Sequence, residues 1–177
     1  KRGAMTMAMK TLNIGNVTVD RVQDWWGPVF HVPETWPGST WEQVEAQRGW
    51  MEPHFLYPKG QGKEGVLDVS LHTYVIRTPH FNILVDTCVG NDRKRSAIPE
   101  WNMMNTDYLA KIAAFGLQPE DIHYVMCTHL HFDHVGWNTR LLDGRWVPTF
   151  PNARYIFHKT EYDYWKDHQD HFAMDNS

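Results

Sequence analysis

Seven consecutive residues, Thr128-His129-Leu130-His131-Phe132-Asp133-His134, gather three imidazoles and a carboxylate. On an extended chain His129 and His131 project to the same side and can grip one cation. Asp133 and His134 are adjacent, so a turn or a helix start is needed to bring both inward, where they would face a second cation close to the first. Imidazole nitrogens with one carboxylate oxygen suit zinc and also accept iron or manganese. The chemistry this implies is hydrolysis, in which a water of lowered pKa attacks an electrophilic carbonyl carbon or phosphorus. Asp133 would serve both as a ligand and as the catalytic proton carrier. With eleven histidines in 177 residues, H-x-H-x-D-H is expected by composition only about 0.003 times in such a chain. The plain alternative is a surface loop of solvated histidines, but the pattern follows an apolar run, Ile122 to Thr128.

The elements that must position this loop read as an α/β layering rather than a bundle or a sandwich of strands alone. Residues 17–22 alternate like a strand. Residues 24–66 carry Trp25, Trp26, Trp36, Trp41 and Trp50 among Pro28, Pro33, Pro37, Pro53 and Pro58. Inside that arm Thr40 to Gln43 has capping-box spacing, and Gly49 is the expected stop of the short helix it starts. The rest of the arm is expected to be extended and proline-punctuated. Leu67 to Thr78 and Phe81 to Val89 predict a hairpin around Pro79-His80. Asn105 or Thr106 can cap a helix with an apolar face of Leu109, Ile112 and Ala113, ending near Gly116. A short strand follows at Ile122 to Thr128, another at 154–158, and a helix from about Thr160 to His168.

With those residues in view, the chain resembles the metallo-β-lactamase superfamily, in the motif T-H-L-H-F-D-H and in Ile83-Leu84-Val85-Asp86-Thr87, which is similar to the family's strand ending in an aspartate. The resemblance implies an αββα sandwich with a di-metal site at one sheet edge. It places His129 and His131 on first-metal positions, Asp133 and His134 on second-metal positions, and Asp86, with Thr128, behind the ligands as their support. The stretch after Asp86 and Gly136-Trp137-Asn138 look like the branch of lactonases and related ester or phosphotriester hydrolases. A complete family site also takes two histidines and a bridging carboxylate from the C-terminal half, and nothing after His134 resembles them. His158, His168 and His171 lie where the family places no ligands and read as solvated or structural imidazoles. The resemblance thus implies the N-terminal half to two-thirds of such a domain. Residues 1–66 would be an N-terminal strand and Trp/Pro-rich arm, and residues 67–177 the first part of a single domain, with further ligands beyond Ser177.

Composition bounds the alternatives. The formal charge of −4 lacks the basic excess of a nucleic-acid binder, and no apolar run has the length of a membrane span. Cys88 and Cys127 are too few for a disulfide framework and read as two buried thiols. The N-terminus has no continuous apolar stretch of a secretory signal, so a cytoplasmic location is expected, a processed periplasmic form looking the same. Trp137, three residues after His134, either lines the substrate pocket or packs in the core. The arm is a packing element, an apolar lip favouring aromatic or apolar esters and lactones, or a homodimer contact. The expected function is a zinc-dependent hydrolase holding two divalent ions and acting on a small lactone, ester or related bond. The competing readings are an iron-dependent oxidoreductase, of persulfide-dioxygenase or flavo-diiron type, and a metal-binding half-domain without turnover.

Overall fold

The computed structural model describes residues 11–63 and 65–168. The readings on the N-terminal leader segment and on His171 lie outside the described residues. Strands β1 (Leu12–Ile14), β2 (Val17–His31), β3 (Val66–Arg77), β4 (Asn82–Val85), β5 (Tyr124–Met126) and β8 (Arg154–Ile156) form one six-stranded sheet in the order β1-β2-β3-β4-β5-β8. β6 (Thr139–Leu142) and β7 (Arg145–Pro148) form a separate hairpin. The helices are α1 (Val32–Thr35), α2 (Trp41–Met51), α3 (Tyr108–Ala113), α4 (Phe132–Val135) and α5 (Lys159–Trp165). Among the described residues no helix is long and apolar enough to cross a membrane.

The first four strands run antiparallel, but β4, β5 and β8 are parallel neighbours. Their C-terminal ends therefore open onto one edge of the sheet, where crevices for chemistry arise in parallel sheets. Register shows how the core forms. Val75, Leu84 and Val125 stand opposite one another on three strands and are all fully buried. Tyr108 and Ile112 of α3 pack against that row, with Leu117 and Ile122 beside them. One residue along, Tyr74, Val85, Met126 and Ile156 form the next register row, on the opposite face. Tyr74, Met126 and Ile156 in that row are exposed.

Several elements differ from the sequence expectation for identifiable reasons. β2 does not end near residue 22 but runs for 15 residues along β3, taking in Trp25, Trp26 and Pro28. Register shifts between Gln23 and Trp25 and between Pro28 and Phe30 accommodate it, since a bulge tolerates a proline that an unbroken ladder would not. α2 has the expected capping box, but it passes through Gly49 and stops only before Glu52-Pro53. A helical glycine costs only about 1 kcal/mol, whereas Pro53 has no N–H to continue the ladder. β4 stops at Val85 rather than Val89 because Asp86 and Cys88 adopt φ of 56° and 53°. Both cysteines are buried free thiols, and burial pushes each thiol pKa up.

The first bulge of β2 has a chemical consequence. Asp24 is its extra residue, and its carboxylate is buried in the core. Trp137 Nε1 donates to Oδ2 at 3.1 Å and the Thr106 hydroxyl donates to Oδ1. Trp137 also stacks on Tyr108, centroids 5.0 Å apart. Trp137 is therefore a core residue, not a pocket lining, because its ring and its N–H are both engaged inside the fold. Burial pushes the Asp24 pKa up despite those hydrogen bonds.

Two glycines and this carboxylate yield predictions. A Cβ at Gly136 would stand 1.9 Å from the Val89 carbonyl carbon, whereas one at Gly49 meets nothing within 4 Å. Gly136→Ala should thus destabilise by about 3 kcal/mol and Gly49→Ala should stabilise by about 0.5–1 kcal/mol, read by urea unfolding. Because the folded pKa of Asp24 is raised, its carboxyl favours folding below the unfolded pKa, and that contribution fades as pH rises through the folded value. Asp24→Asn should therefore gain stability relative to the parent as pH climbs from about 4 to neutrality. A difference that stays constant with pH would refute the linkage.

Candidate metal centre

β4 and β5 deliver the two halves of the site. Asp86 follows directly on β4, and its N–H continues the parallel pairing to the Met126 carbonyl at 2.9 Å. The chain leaving β5 then reaches Thr128 beside it. Asp86 Oδ1 accepts from the Thr128 N–H at 2.7 Å, while Oδ2 accepts from the Thr128 hydroxyl at 2.7 Å and from His134 Nδ1 at 2.8 Å. Burial would raise the Asp86 pKa, but these bonds outweigh it and hold the carboxyl below the usual range. Both residues expected behind the ligands thus meet the ligand loop directly.

The loop then turns as its chemistry requires. α4 begins at Phe132, so Asp133 and His134 sit in a helical first turn. Phe132 is the buried wedge of that turn, against Trp101 and under the Arg95 guanidinium. The His129 ring lies 4.5 Å from His131 and 3.8 Å from His134, centroid to centroid. Asp133 Oδ2 stands 3.4 Å from His134 Nε2. The four candidate ligands are therefore brought together at the sheet edge rather than splayed. A separate lock holds the turn from below. Thr87 N–H donates to the His134 carbonyl at 2.7 Å, Gly136 N–H to the Cys88 carbonyl at 2.7 Å and Trp137 N–H to the Thr87 carbonyl at 2.9 Å.

Electrostatics follow from this crowding. Burial would lower the His134 pKa, but the Asp133 and Asp86 carboxylates outweigh it and push it up to about 9. Asp133 is held low by His134 against the opposing effect of burial. Burial, with His134 and His131 nearby, pushes His129 down. A depressed imidazole pKa favours the neutral form that binds metals.

One pair of donors has the spacing expected on a divalent cation. Two donors bound to one tetrahedral zinc at usual lengths stand about 3.4 Å apart, which matches His134 Nε2 and Asp133 Oδ2. The Asp86 bond occupies His134 Nδ1 and so leaves Nε2 as the donor toward Asp133. Among the described residues no group of three or more His, Cys, Asp or Glu side chains is arranged to hold an ion. His158 caps α5 and His168 stacks on Tyr164, so neither joins the cluster.

One contributor was not read from the sequence. Glu161, in α5, accepts from the Leu130 N–H inside the ligand loop at 3.1 Å. Its only sequence signal is its place in the first turn after β8, and that becomes meaningful only once β8 is known to lie beside β5.

Comparison with known proteins identifies the family. The sequence model of the Metallo-beta-lactamase superfamily matches residues 68–173. The N-acyl homoserine lactonase AttM of Azorhizobium caulinodans is 38% identical over 116 residues, which cover 59% of this chain and 40% of that protein. Among solved structures, a probable metal-dependent hydrolase from Staphylococcus aureus superposes with a TM-score of 0.67 at 18% identity, over 88% of this chain and 52% of that one. AidC, a dizinc quorum-quenching lactonase, gives 0.65 at 19% identity, over 88% and 46%. These structural likenesses establish the fold. The chain spans about half the length of the proteins it matches, or less.

The Asp86 carboxylate is the part of the centre most exposed to test. Asp86→Ala strips the acceptor from the Thr128 N–H and from His134 Nδ1, and should destabilise by about 2–3 kcal/mol. Thr128→Val removes only the hydroxyl bond and should cost about 1 kcal/mol. Urea unfolding of both variants and of the double variant should show that the two losses overlap rather than add.

Proposed function

The chain belongs to the metallo-beta-lactamase superfamily, and on that premise we propose that it carries one half of the active site of a metal-dependent hydrolase of lactones, carboxylic esters or related bonds. One observation supports this above the rest: His129, His131, Asp133 and His134 crowd together at the open end of a parallel sheet, tied to Asp86. The similarity to an N-acyl homoserine lactonase over 59% of the chain favours a lactone as substrate.

His129 and His131 would hold one divalent ion, and Asp133 with His134 a second, zinc suiting the nitrogen-rich set. Such ions supply Lewis acidity and a water of lowered pKa. The chain's own residues do the rest. Asp86 fixes the His134 ring through Nδ1, and Thr128 is clamped by the same carboxylate, so the loop does not rotate as charge develops. Asp133 would also take a proton from the attacking water and return it to the leaving oxygen. An apolar or aromatic acyl group, and homodimer contact through the arm, form part of the same proposal; exposed Trp36, Trp41, Trp50 and Phe55 support them.

The test is metal analysis and a hydrolysis screen on the full-length protein. Stoichiometric divalent metal and hydrolysis of N-acyl homoserine lactones or aryl esters, lost on chelation, are expected. His131→Ala should lower kcat/KM by about 100-fold or more, together with metal content. Asp133→Asn should lower kcat by about 10²–10⁴-fold. Absence of stoichiometric metal, or unchanged activity in His131→Ala, would sink the reading.

A further inference from the structure

The third parallel strand brings a group to the site that the hydrolase reading leaves unused. Met126 of β5 stands opposite Ile156 of β8, and the Cys127 N–H extends the pairing to the Ile156 carbonyl at 2.8 Å. The chain leaving β8 therefore emerges beside the chain leaving β5, and α5 lands against the His129–His131 segment. One oxygen, Glu161 Oε2, accepts there from two donors: the Leu130 N–H at 3.1 Å and Trp165 Nε1–H at 3.0 Å. Leu130 is the residue between the two histidines. Trp165, one helical turn beyond Glu161 and buried, meets the His131 ring edge-on, centroids 5.1 Å apart at 76°.

From this arrangement we infer that Glu161 is a positioning residue for the His129–His131 pair, acting through the Leu130 peptide with Trp165 as its brace. The inference rests on the metal-dependent reading of those two histidines. The Leu130 N–H lies in the peptide that joins His129 to Leu130, so its acceptor fixes the main chain between the two imidazoles. The Leu130 N–H belongs to no helix or strand ladder, so its orientation depends on the acceptor it finds. A carboxylate is the strongest such acceptor. The Trp165 N–H comes from one turn along the same helix and holds that carboxylate ready, as i,i+4 neighbours do. With Oε2 already shared between two N–H groups, Glu161 acts on the imidazoles from behind instead of joining them as a ligand. Asp86, just past β4, holds the loop at both ends through Thr128 and His134, and Glu161, on the helix that follows β8, holds its middle.

The test uses the full-length protein, the variants Glu161→Ala, Glu161→Gln and Trp165→Phe, and zinc alone as the probe. Two readouts are taken by NMR: exchange of the Leu130 amide without added zinc, and a zinc titration followed at the ring protons of His129, His131 and His134. Glu161→Ala is expected to speed Leu130 exchange about tenfold or more and to weaken zinc binding at His129 and His131 about 10–100-fold, with a smaller change at His134. Glu161→Gln keeps an acceptor oxygen and should recover most of both effects, and it remains informative if the alanine variant does not fold. Trp165→Phe should fall between the two. A merely structural role would weaken all three histidines alike and would not be rescued by glutamine; that pattern overturns the inference. Zinc binding and Leu130 exchange that match the parent in Glu161→Ala overturn it as well, while leaving the hydrolase reading intact. A parent protein that binds no zinc at these rings defeats the hydrolase reading and the inference with it.

Discussion

The ligand loop depends on the carboxylate of Asp86. This residue sits where a parallel strand ends, in a left-handed conformation with φ of 56°. For an L-residue with a side chain that conformation costs about 1–2 kcal/mol, although aspartate is among the residues that visit it. The turn sets both oxygens against the chain leaving β5, and three donors from Thr128 and His134 meet them. Charge-assisted bonds of this kind exceed neutral ones about twofold, so together they offset the backbone strain. Move Asp86 by one position and both the left-handed turn and the parallel register with Met126 would face the wrong residues.

Parallel topology explains why so short a loop suffices. β4, β5 and β8 each end at one edge, so three segments distant in sequence need no long excursions to meet there. Antiparallel strands would send alternate loops to opposite ends. β2 and β3, the antiparallel ribbon, contribute from the interior instead: the bulge of β2 turns Asp24 toward Trp137, which fixes the segment leaving the ligand loop.

What the sequence made legible follows from how local each determinant is. The clustering of His129, His131, Asp133 and His134, the strand-end aspartate, the capping box at Thr40 and Gln43, and the stop at Gly116, which has φ of 76°, all arise within a few residues. The β6–β7 hairpin was equally local and went unread: Asp143-Gly144 have φ of 49° and 76°, the pair of positive values that a tight hairpin turn requires. The length of β2 was hidden because Pro28 argues against a strand unless a bulge receives it. Glu161 and Asp24 could not be found from pattern at all. Their partners, Leu130 and Trp137, lie 31 and 113 residues away, and only the strand order makes either pair neighbours. A buried carboxylate in an apolar strand looks, from sequence, like an ordinary solvent-facing residue in the alternation.

The same geometry argues that the loop is set before any substrate or ion arrives. Four candidate ligands drawn from six residues leave little chain of their own to define direction, so rigidity must come from neighbours. Beneath the turn, Thr87 and Cys88 exchange three main-chain bonds with His134, Gly136 and Trp137, and Val89 approaches so closely that Gly136 has no space for a Cβ. The Arg93 guanidinium then donates to the Gly136 carbonyl from Nε and Nη2, at 3.2 and 3.0 Å. Backbone in direct contact cannot be rearranged by a change of rotamer, whereas side-chain support can. The main chain at His134 thus rests on peptide groups and the His134 ring on Asp86, while the main chain between His129 and His131 meets a side-chain acceptor from α5. Such a division leaves the main chain of the His129–His131 segment the softer of the two, since among the described residues no neighbouring peptide group braces it as Thr87 and Cys88 brace His134 to Trp137.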